Sequence, residues 1–389
     1  MKLVIVVPDG MADRRGDFPE GRTPLARAHT PVMDLLAAEG ECGTAVTVPD
    51  GVLPGSDSAN MAVLGVDPAS VSIGRAAIEA AGRQVAVEDD EVVFRMNLVT
   101  VEGDVLSDYS AGSISPDDAR PLVEAVAAAV RPLGAEVALG VSYRHLMRVK
   151  DPEGALAALT CVPPHDMLGG SVKENAPRGA GAERLLRITS TADAAIAGMS
   201  KTATAVWCWG QGRKASLPSL RERFGVRGAV ITAVDLVRGL GRAMGMDVIE
   251  VEGANGDIDT NFAGKGEAAV EALAAYDVVF VHVEAPDEAS HRGQEDVKVK
   301  AIELVDGEVL SRVRREADAR GDTRVLCMPD HLTPLAIRTH AHGAVPYALY
   351  GAGVDASGVD GFSERTAGST GVQFARGWEL LARALDRKG

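Results

Sequence analysis

Several features are scarce in this sequence, and each deficit argues against a class of protein. Its 389 residues include four cysteines, none of them in a CxxC pair, so neither a disulfide scaffold nor a CxxC metal or redox motif is indicated. No apolar run approaches the roughly 20 residues of a membrane-spanning helix, and the run Leu3–Val7 is too short for the core of a signal peptide. We therefore expect a cytoplasmic protein with reduced thiols and no membrane partner.

Basic residues are also in deficit. The chain has 40 lysines and arginines against 55 aspartates and glutamates, which gives a formal net charge of -15. Because nucleic acids and anionic membranes bind to basic surfaces, neither is expected as a partner. A small anionic substrate would instead need local arginines, lysines or metal ions. With 46% hydrophobic residues, a chain of this length can bury a large core and form two domains.

Short β-rich apolar runs alternate with Ala- and Leu-rich amphipathic stretches along most of the chain. This alternation predicts βαβ units and a mostly parallel sheet flanked by helices. The predicted strands are Leu3–Val7, Thr44–Val48, Ala229–Thr232, Val248–Val251, Val278–Val283, Arg324–Met328 and Tyr347–Tyr350. The predicted helices are Pro31–Ala38, Leu236–Met244, Lys265–Ala275, Val297–Ala317 and Phe374–Leu385.

The pattern changes between residues 76 and 195, where polar turns separate fewer elements. The elements predicted there are the helix Ala119–Val130 and the strand-like pieces Val92–Val99 and Val137–Val149. We predict a discontinuous α/β domain formed by residues 1–75 and 196–389, interrupted by a smaller α+β domain at residues 76–195.

Carboxylates follow three of the predicted strands. Asp9, Asp287 and Asp330 each stand one to four residues past an apolar run, and parallel strands present ligands beyond their carboxyl ends. One edge of the sheet could therefore hold all three. Asp287 and His291 are four residues apart, which places them on the same face of a helical turn.

Two more histidines stand near the last of these carboxylates. His331 is adjacent to Asp330, and His340 lies a short loop onward. Taken singly, each aspartate would be a cap or turn residue and each histidine a solvated side chain, but their co-occurrence favours a metal site. Mixed carboxylate and imidazole ligands favour manganese or zinc over magnesium, and two such ions can clamp both oxygens of a phosphoryl transfer. His342 could substitute as a ligand, but it is expected to lie behind the ligands or in solvent.

Ser56 is the candidate nucleophile, in the segment Leu53–Asn60. Gly-Ser-Asp is also an ordinary helix start in which the serine would be a cap. The segment lacks the GxSxG pattern of serine hydrolases, and neither Gly264–Lys265 nor Gly212–Lys214 belongs to a phosphate-binding P-loop. A serine alkoxide bound to metal at a helix start agrees best with the remaining chemistry.

Five segments together resemble the archaeal-type, 2,3-bisphosphoglycerate-independent phosphoglycerate mutases of the alkaline phosphatase superfamily, and in particular their bacterial sister group. The segments are Pro8–Asp13, Pro54–Asn60, Gly228–Leu236, His282–Glu288 and Pro329–Pro334. The resemblance covers nearly the whole chain. It implies an alkaline-phosphatase-like fold in which the discontinuous domain is the metal-binding catalytic domain and the inserted domain is a substrate-binding cap.

The resemblance also implies a role for each candidate ligand. Ser56 would be the transiently phosphorylated nucleophile. The two implied ligand sets are Asp9, Ser56, Asp330 and His331 for one ion, and Asp287, His291 and His340 for the other. Both ions would be divalent, with manganese expected and zinc, cobalt or magnesium as alternatives, and 2,3-bisphosphoglycerate would not be required.

The implied reaction is the glycolytic interconversion of 3-phosphoglycerate and 2-phosphoglycerate. The phosphoryl group would pass to Ser56, glycerate would reorient in a closed cleft, and its other hydroxyl would take the phosphate back. The cap would keep water from the phosphoserine, and a homo-oligomer is compatible with this reaction. The candidates for binding the substrate's carboxylate and phosphate are Arg75, Arg95, Arg144, Arg213 and Lys214. For each of these cations, a solvated surface position is the alternative.

One segment of the insert differs from the family pattern. The archaeal enzymes carry Asp-Arg-Arg-Ala-Gly-Arg, whereas Asp108–Ser113 has Tyr109, Ser110 and Ser113 in place of the arginines. Some members of the bacterial sister group have been proposed to be homoserine kinases. A related metal-dependent phosphotransferase or phosphohydrolase with another small substrate, such as a homoserine kinase-like activity, is therefore the alternative function. A non-catalytic, metal-dependent metabolite-binding module is the third.

Overall fold

The computed structural model describes residues 1–71 and 73–386. The chain divides into two compact units, one formed by Met1–Ser72 together with Leu217–Gly389 and the other by Ile73–Ser216. No helix of the described residues is long and apolar enough to cross a membrane. The four cysteines are free thiols, and three of them are buried.

The strands of the described residues are β1 Lys2–Pro8, β2 Glu41–Val46, β3 Glu91–Glu102, β4 Val105–Asp108, β5 Ala135–Val141, β6 Arg144–Lys150, β7 Ala205–Gly212, β8 Gly228–Ile231, β9 Asp247–Ile249, β10 Val278–Val283, β11 Thr323–Cys327, β12 Ala344–Gly351 and β13 Gln373–Phe374. The α-helices are α1 Pro24–Arg27, α2 Pro31–Glu39, α3 Ser56–Val63, α4 Arg75–Gly82, α5 Pro116–Val130, α6 Ala182–Ile196, α7 Leu220–Phe224, α8 Asp235–Ala243, α9 Phe262–Ala272, α10 Ala285–His291, α11 Glu295–Leu304, α12 Ser311–Arg320, α13 Glu364–Ser369 and α14 Leu380–Ala384.

The first unit is built on one mixed sheet with the strand order β13-β2-β12-β11-β1-β10-β8-β9. Strands β11, β1, β10, β8 and β9 pair in parallel, whereas β12 is antiparallel to both β11 and β2. Leu3–Val7 in β1 are fully buried, as expected for a central strand covered on both faces. This architecture confirms the predicted α/β fold class, and the parallel strands bring their carboxyl ends to one edge.

Two predicted helices of this unit differ in the structure. The helix predicted at Val297–Ala317 is interrupted by a π-helix at Val305–Leu310. This wider turn carries the carboxylate of Asp306, which accepts hydrogen bonds from the backbone N–H groups of Val32 and Met33 at 3.2 and 2.7 Å. It thereby satisfies donors that the first turn of α2 leaves free.

The helix predicted at Phe374–Leu385 is also shorter than expected. Gln373–Phe374 forms strand β13, which pairs with β2, and α14 begins only at Leu380. Pairing with the sheet edge therefore overrides the helical pattern at the start of this segment.

The second unit is an antiparallel sheet with the order β4-β3-β6-β5, in which β7 also pairs with β3. Helices α5 and α6 pack together, and both contribute to a core with β3 and β6. The strand predicted at Val137–Val149 is a hairpin of β5 and β6, with Ser142 at φ +55° in its turn. The insert was predicted to end at residue 195, but β7 keeps Ala205–Gly212 in this unit, which extends to Ser216.

Candidate metal centre

The first carboxylate of the site stands at the end of β1. Asp9 is 1% exposed and its backbone N–H donates to Val283 O at 2.9 Å, which continues the pairing with β10. Gly10 then turns the chain away at φ +58°, and a Cβ added there would lie 2.4 Å from Asp287 Oδ1. The turn therefore requires glycine both for its conformation and for the close approach of a second carboxylate.

The loop after β11 supplies a second buried carboxylate. Asp330 Oδ1 accepts hydrogen bonds from the backbone N–H groups of Gly10 at 3.2 Å and His331 at 2.9 Å. Its Oδ2 accepts one from Asn60 Nδ2 at 2.7 Å, and the same amide donates to Ser56 O at 2.8 Å. Asn60 thus connects the start of α3 to the ends of two parallel strands.

Ser56 is the first residue of α3, and its hydroxyl lies at this strand edge. Ser56 Oγ is 3.2 Å from His331 Nε2, and that nitrogen is also 3.5 Å from Asp9 Oδ1 and 3.4 Å from Asp330 Oδ2. The four side chains predicted to bind the first ion are therefore together, although Ser56 and His331 are 275 positions apart.

The three side chains predicted to bind the second ion also lie together. His291 Nε2 is 3.0 Å from Asp287 Oδ2, one helical turn earlier in α10. His340 Nε2 is 3.2 Å from His291 Nε2 and 3.7 Å from Asp287 Oδ1. On its other nitrogen, Nδ1, His291 donates to the carbonyl of Arg338 at 2.9 Å. This bond turns Nε2 towards the cluster, an orientation that a metal-binding imidazole needs.

Thr333 connects the two ligand sets. Its hydroxyl donates to Asp287 Oδ1 at 2.6 Å, so it accepts from His331 Nδ1 at 3.1 Å. A proton on Nδ1 leaves the lone pair of His331 on Nε2, the atom that faces Ser56. The hydrogen bond therefore selects the tautomer that could bind a cation.

A buried ion pair supports the loops that carry these ligands. Lys298 of α11 is fully buried, and its Nζ lies 2.5 Å from Asp13 Oδ2 and 3.1 Å from Thr333 O. The other oxygen of Asp13 accepts from the backbone N–H of Leu335 at 2.9 Å. The pair thus ties the segment after β1 to the loop after β11.

The clustered carboxylates and histidines have strongly shifted pKa values. Burial and the neighbouring charges of Asp330 and Asp287 raise the pKa of Asp9 well above its ordinary value. Burial also acts to raise the pKa of Asp287, but hydrogen bonds from His291 and His340 hold it well below the usual range. The hydrogen bond to Asp287 raises the pKa of His291 to about 9. Crowded carboxylates and a bound proton are conditions that a divalent cation would relieve.

The donor set fits divalent cations. Asp9 Oδ1 is buried and has no hydrogen-bond partner within residues 1–71 and 73–386, which leaves it free to bind a metal. Three groups have their ligand atoms within 4.8 Å of one another: Asp287, His291 and His340; Asp9, His282 and Asp330; and Asp9, Asp287 and His331. A mixed oxygen and imidazole set suits manganese or zinc.

The predicted substrate-binding cations belong to the second unit, where three form one patch. Arg75 Nε lies 3.5 Å from Glu79 Oε1, and Arg95 Nε lies 3.1 Å from Glu79 Oε2. The Arg95 guanidinium stacks 4.4 Å above the Trp209 ring. Burial and the nearby charges of Arg75 and Arg144 lower the pKa of Arg95 to about 10, although Glu79 opposes this. Glu79 therefore neutralises part of the positive charge of this group, and Arg95 itself is only 7% exposed.

The other two predicted cations lie differently. Arg213 is exposed and donates to the carbonyls of Asp89 at 3.0 Å and Asp151 at 2.8 Å, so its guanidinium holds the main chain of two loops. Lys214 is exposed. In the divergent segment, the Ser110 hydroxyl donates to Asp108 Oδ1 at 2.7 Å.

Sequence reasoning missed the neutral side chains of the site. Asn60, Thr333 and His282 were not predicted as site residues, yet each contacts a predicted ligand. For His282 there was a signal, because a histidine inside the apolar run Val278–Val283 would need a buried polar partner. No comparable signal marks Asn60 or Thr333.

Comparisons with known proteins identify the family of the chain. Residues 1–376 match the family model of the Metalloenzyme superfamily. The chain is 42% identical to a probable 2,3-bisphosphoglycerate-independent phosphoglycerate mutase of Geobacter sulfurreducens, over all of both chains. It is 43% identical to the 2,3-bisphosphoglycerate-independent phosphoglycerate mutase of Methanosarcina barkeri, again over all of both.

A solved structure of a Pyrococcus horikoshii protein has the same fold. Its TM-score is 0.82 at 26% identity, and the alignment covers all of this chain and 98% of that one. The resemblance stated from five sequence segments is confirmed by these matches. The chain belongs to the 2,3-bisphosphoglycerate-independent phosphoglycerate mutase family of the Metalloenzyme superfamily.

Proposed function

We propose that this protein interconverts 3-phosphoglycerate and 2-phosphoglycerate through a phosphoserine at Ser56. The observation that carries the proposal is the 3.2 Å contact of Ser56 Oγ with His331 Nε2, in a cluster that also includes Asp9 and Asp330. Family membership supports the substrate, and the cluster supports the chemistry.

Each half of the reaction would transfer one phosphoryl group. Ser56 Oγ loses its proton and forms a bond to phosphorus while the bond from phosphorus to the C3 oxygen of glycerate breaks, and that oxygen takes up a proton in exchange. The second half reverses these changes at the C2 oxygen. Two divalent ions held by the proposed ligand sets would neutralise phosphate charge and acidify the serine hydroxyl. Asn60 orients the start of α3 through Ser56 O and Asp330 Oδ2.

The second unit is proposed to bind the substrate's anionic groups. Arg75, Arg95 and Arg144 are the candidates, because the charges of Arg75 and Arg144 both act on Arg95 and guanidinium groups bind carboxylate and phosphate bidentately. Manganese as the ion, a homo-oligomeric assembly and a cytoplasmic location remain predictions, the last of them from the cysteines and the short apolar runs of the sequence.

A related phosphotransferase or phosphohydrolase is the second candidate. It is favoured by the segment Asp108–Ser113, where serine and tyrosine replace family arginines and the Ser110 hydroxyl is bound to Asp108. Such a protein would use the same serine with a different acceptor.

The test is an assay of purified protein with Mn²⁺ and 3-phosphoglycerate, coupled to enolase. We expect mutase activity that Ser56→Ala abolishes and that Ser369→Ala, at an exposed serine of α13, leaves unchanged. Mass spectrometry should detect phosphate on Ser56 after incubation with substrate. Activity that survives Ser56→Ala would refute the proposal. Free phosphate released faster than isomer, or ATP-dependent phosphorylation of homoserine, would favour the second candidate.

A further inference from the structure

His282 is a buried polar residue at the metal centre that lies outside both proposed ligand sets. It stands on β10, is fully buried, and has its Nε2 3.0 Å from Asp9 Oδ2. Its other ring nitrogen, Nδ1, is 3.3 Å from Thr232 Oγ1, just past the end of β8. Its carbonyl accepts from the buried ammonium of Lys265 at 3.0 Å. The residue is thus held by hydrogen bonds at Nδ1 and at its carbonyl, while its Nε2, which is buried without a hydrogen-bond partner in the described residues, lies next to a proposed ligand.

The contact with Thr232 favours one tautomer of His282. Thr232 Oγ1 accepts a hydrogen bond from the backbone N–H of Val234 at 3.1 Å. Among the hydrogen bonds of the described residues, the acceptor that its hydroxyl hydrogen can reach is His282 Nδ1 at 3.3 Å. An imidazole that accepts at Nδ1 carries its hydrogen at Nε2 when neutral, and Nε2 faces Asp9.

The two oxygens of Asp9 face different neighbours. Oδ2 lies 3.0 Å from His282 Nε2, and that nitrogen is buried without a hydrogen-bond partner in the described residues, so the two atoms are within reach of each other but are not aligned as a hydrogen bond. Oδ1 is buried without a hydrogen-bond partner in the described chain and lies 3.5 Å from His331 Nε2, on the side of Ser56. An imidazole donor to Oδ2 would hold the carboxylate so that Oδ1 points into the first ligand set.

We propose that His282 is a positioning residue, which donates from Nε2 to Asp9 Oδ2 when the cation is bound and so presents Asp9 Oδ1 to the cation, while Thr232 fixes its tautomer. The inference rests on the metal site of the proposed function but not on its substrate. Groups that orient a metal ligand typically change metal affinity 10–100-fold when removed. The competing role is that Nε2 itself binds the metal, since His282, Asp9 and Asp330 have ligand atoms within 4.8 Å of one another.

The first test compares two variants of Thr232 in the full chain by calorimetric titration with Mn²⁺. Thr232→Val keeps the shape but removes the hydroxyl, so we expect affinity to fall about 10-fold or more with unchanged stoichiometry. Thr232→Ser keeps the hydroxyl and should stay within about 2-fold of the parent. Circular dichroism of the metal-free proteins checks that both fold. Equal affinity of the two variants would overturn the inference.

The second test observes the tautomer directly. In protein with ¹⁵N-labelled histidine, a long-range ¹H–¹⁵N spectrum separates protonated from bare ring nitrogens, and His282→Gln assigns the signal. We expect Nε2 of His282 to carry hydrogen both without metal and with Zn²⁺ bound. Loss of that hydrogen on Zn²⁺ binding would show a direct ligand and overturn the proposal. Neither measurement involves phosphoglycerate. If the protein turned out to have no mutase activity, both experiments could still confirm or refute the role of His282.

Discussion

Replacing Lys298 with methionine should destabilise the first unit and loosen the metal centre together. Lys298 and Asp13 are both buried and lie 2.5 Å apart, and Lys298 also holds Thr333 O at 3.1 Å. Burial raises the pKa of Asp13 and lowers that of Lys298, so desolvation outweighs the attraction within the pair. The main contribution of the pair is therefore to position the segment after β1 and the loop after β11, rather than to add net stability.

The magnitude follows from what the variant leaves behind. Lys298→Met strands the Asp13 carboxylate without its cation, which costs about 3–5 kcal/mol for a buried pair. For a unit of this size, each kcal/mol lowers Tm by about 2–4 °C, so a fall of at least about 6 °C is expected. Adding Asp13→Asn removes the stranded charge and should restore at least about 2 kcal/mol of stability, but not metal affinity, because Thr333 O has still lost its donor.

Urea unfolding of metal-free protein and titration with Mn²⁺ measure the two effects separately. The matched control is Lys300→Met on the same helix, where the side chain is 60% exposed and lies 3.7 Å from Glu303. That change should cost no more than about 0.5 kcal/mol. If Lys298→Met destabilises the protein no more than Lys300→Met does, the reasoning about the buried pair is refuted.

Three further predictions concern the ligands themselves. Gly10→Ala should weaken Mn²⁺ binding about 10-fold or more, because the added Cβ would lie 2.4 Å from a carboxylate oxygen of Asp287. The control is Gly51→Ala, which is also at positive φ but has open space around it. It should add only backbone strain of about 1–2 kcal/mol and leave the affinity for Mn²⁺ unchanged. In the metal-free protein the pKa of His291 is about 9, above the value near 6.5 in the unfolded chain. Protonated His291 therefore stabilises the metal-free fold, fully below pH 6.5, and this stabilisation is lost as the pH rises through 9. A cation must displace that proton, so calorimetry at pH 7.5 in buffers of different ionisation enthalpy should show its release, and metal uptake without release would contradict the assignment. His340→Ala should reduce bound Mn²⁺ by about one equivalent, measured by elemental analysis, whereas His342→Ala at an exposed position should not.

Much of the fold was predictable because its signals are local. The apolar run Leu3–Val7 by itself indicates a buried parallel strand. A helix between two such strands is indicated by apolar residues that recur with a period of 3.6 residues. Asp9 and Asp330 could be placed at the sheet edge for the same reason, since a residue just past a parallel strand has little choice of position. The four-residue spacing of Asp287 and His291 likewise survives in one turn of α10.

The sequence alone therefore determined the α/β class, the family and the position of the candidate ligands at the strand ends, because each depends on neighbours within a few residues or on long matching segments. Only the tertiary structure decided which neutral groups orient those ligands, such as Asn60 between Ser56 and Asp330 or Thr333 between His331 and Asp287. It also decided that Arg213 holds main-chain carbonyls. A hydrogen bond depends on distances of a few tenths of an ångström between residues that are hundreds of positions apart, and no local pattern encodes such a distance.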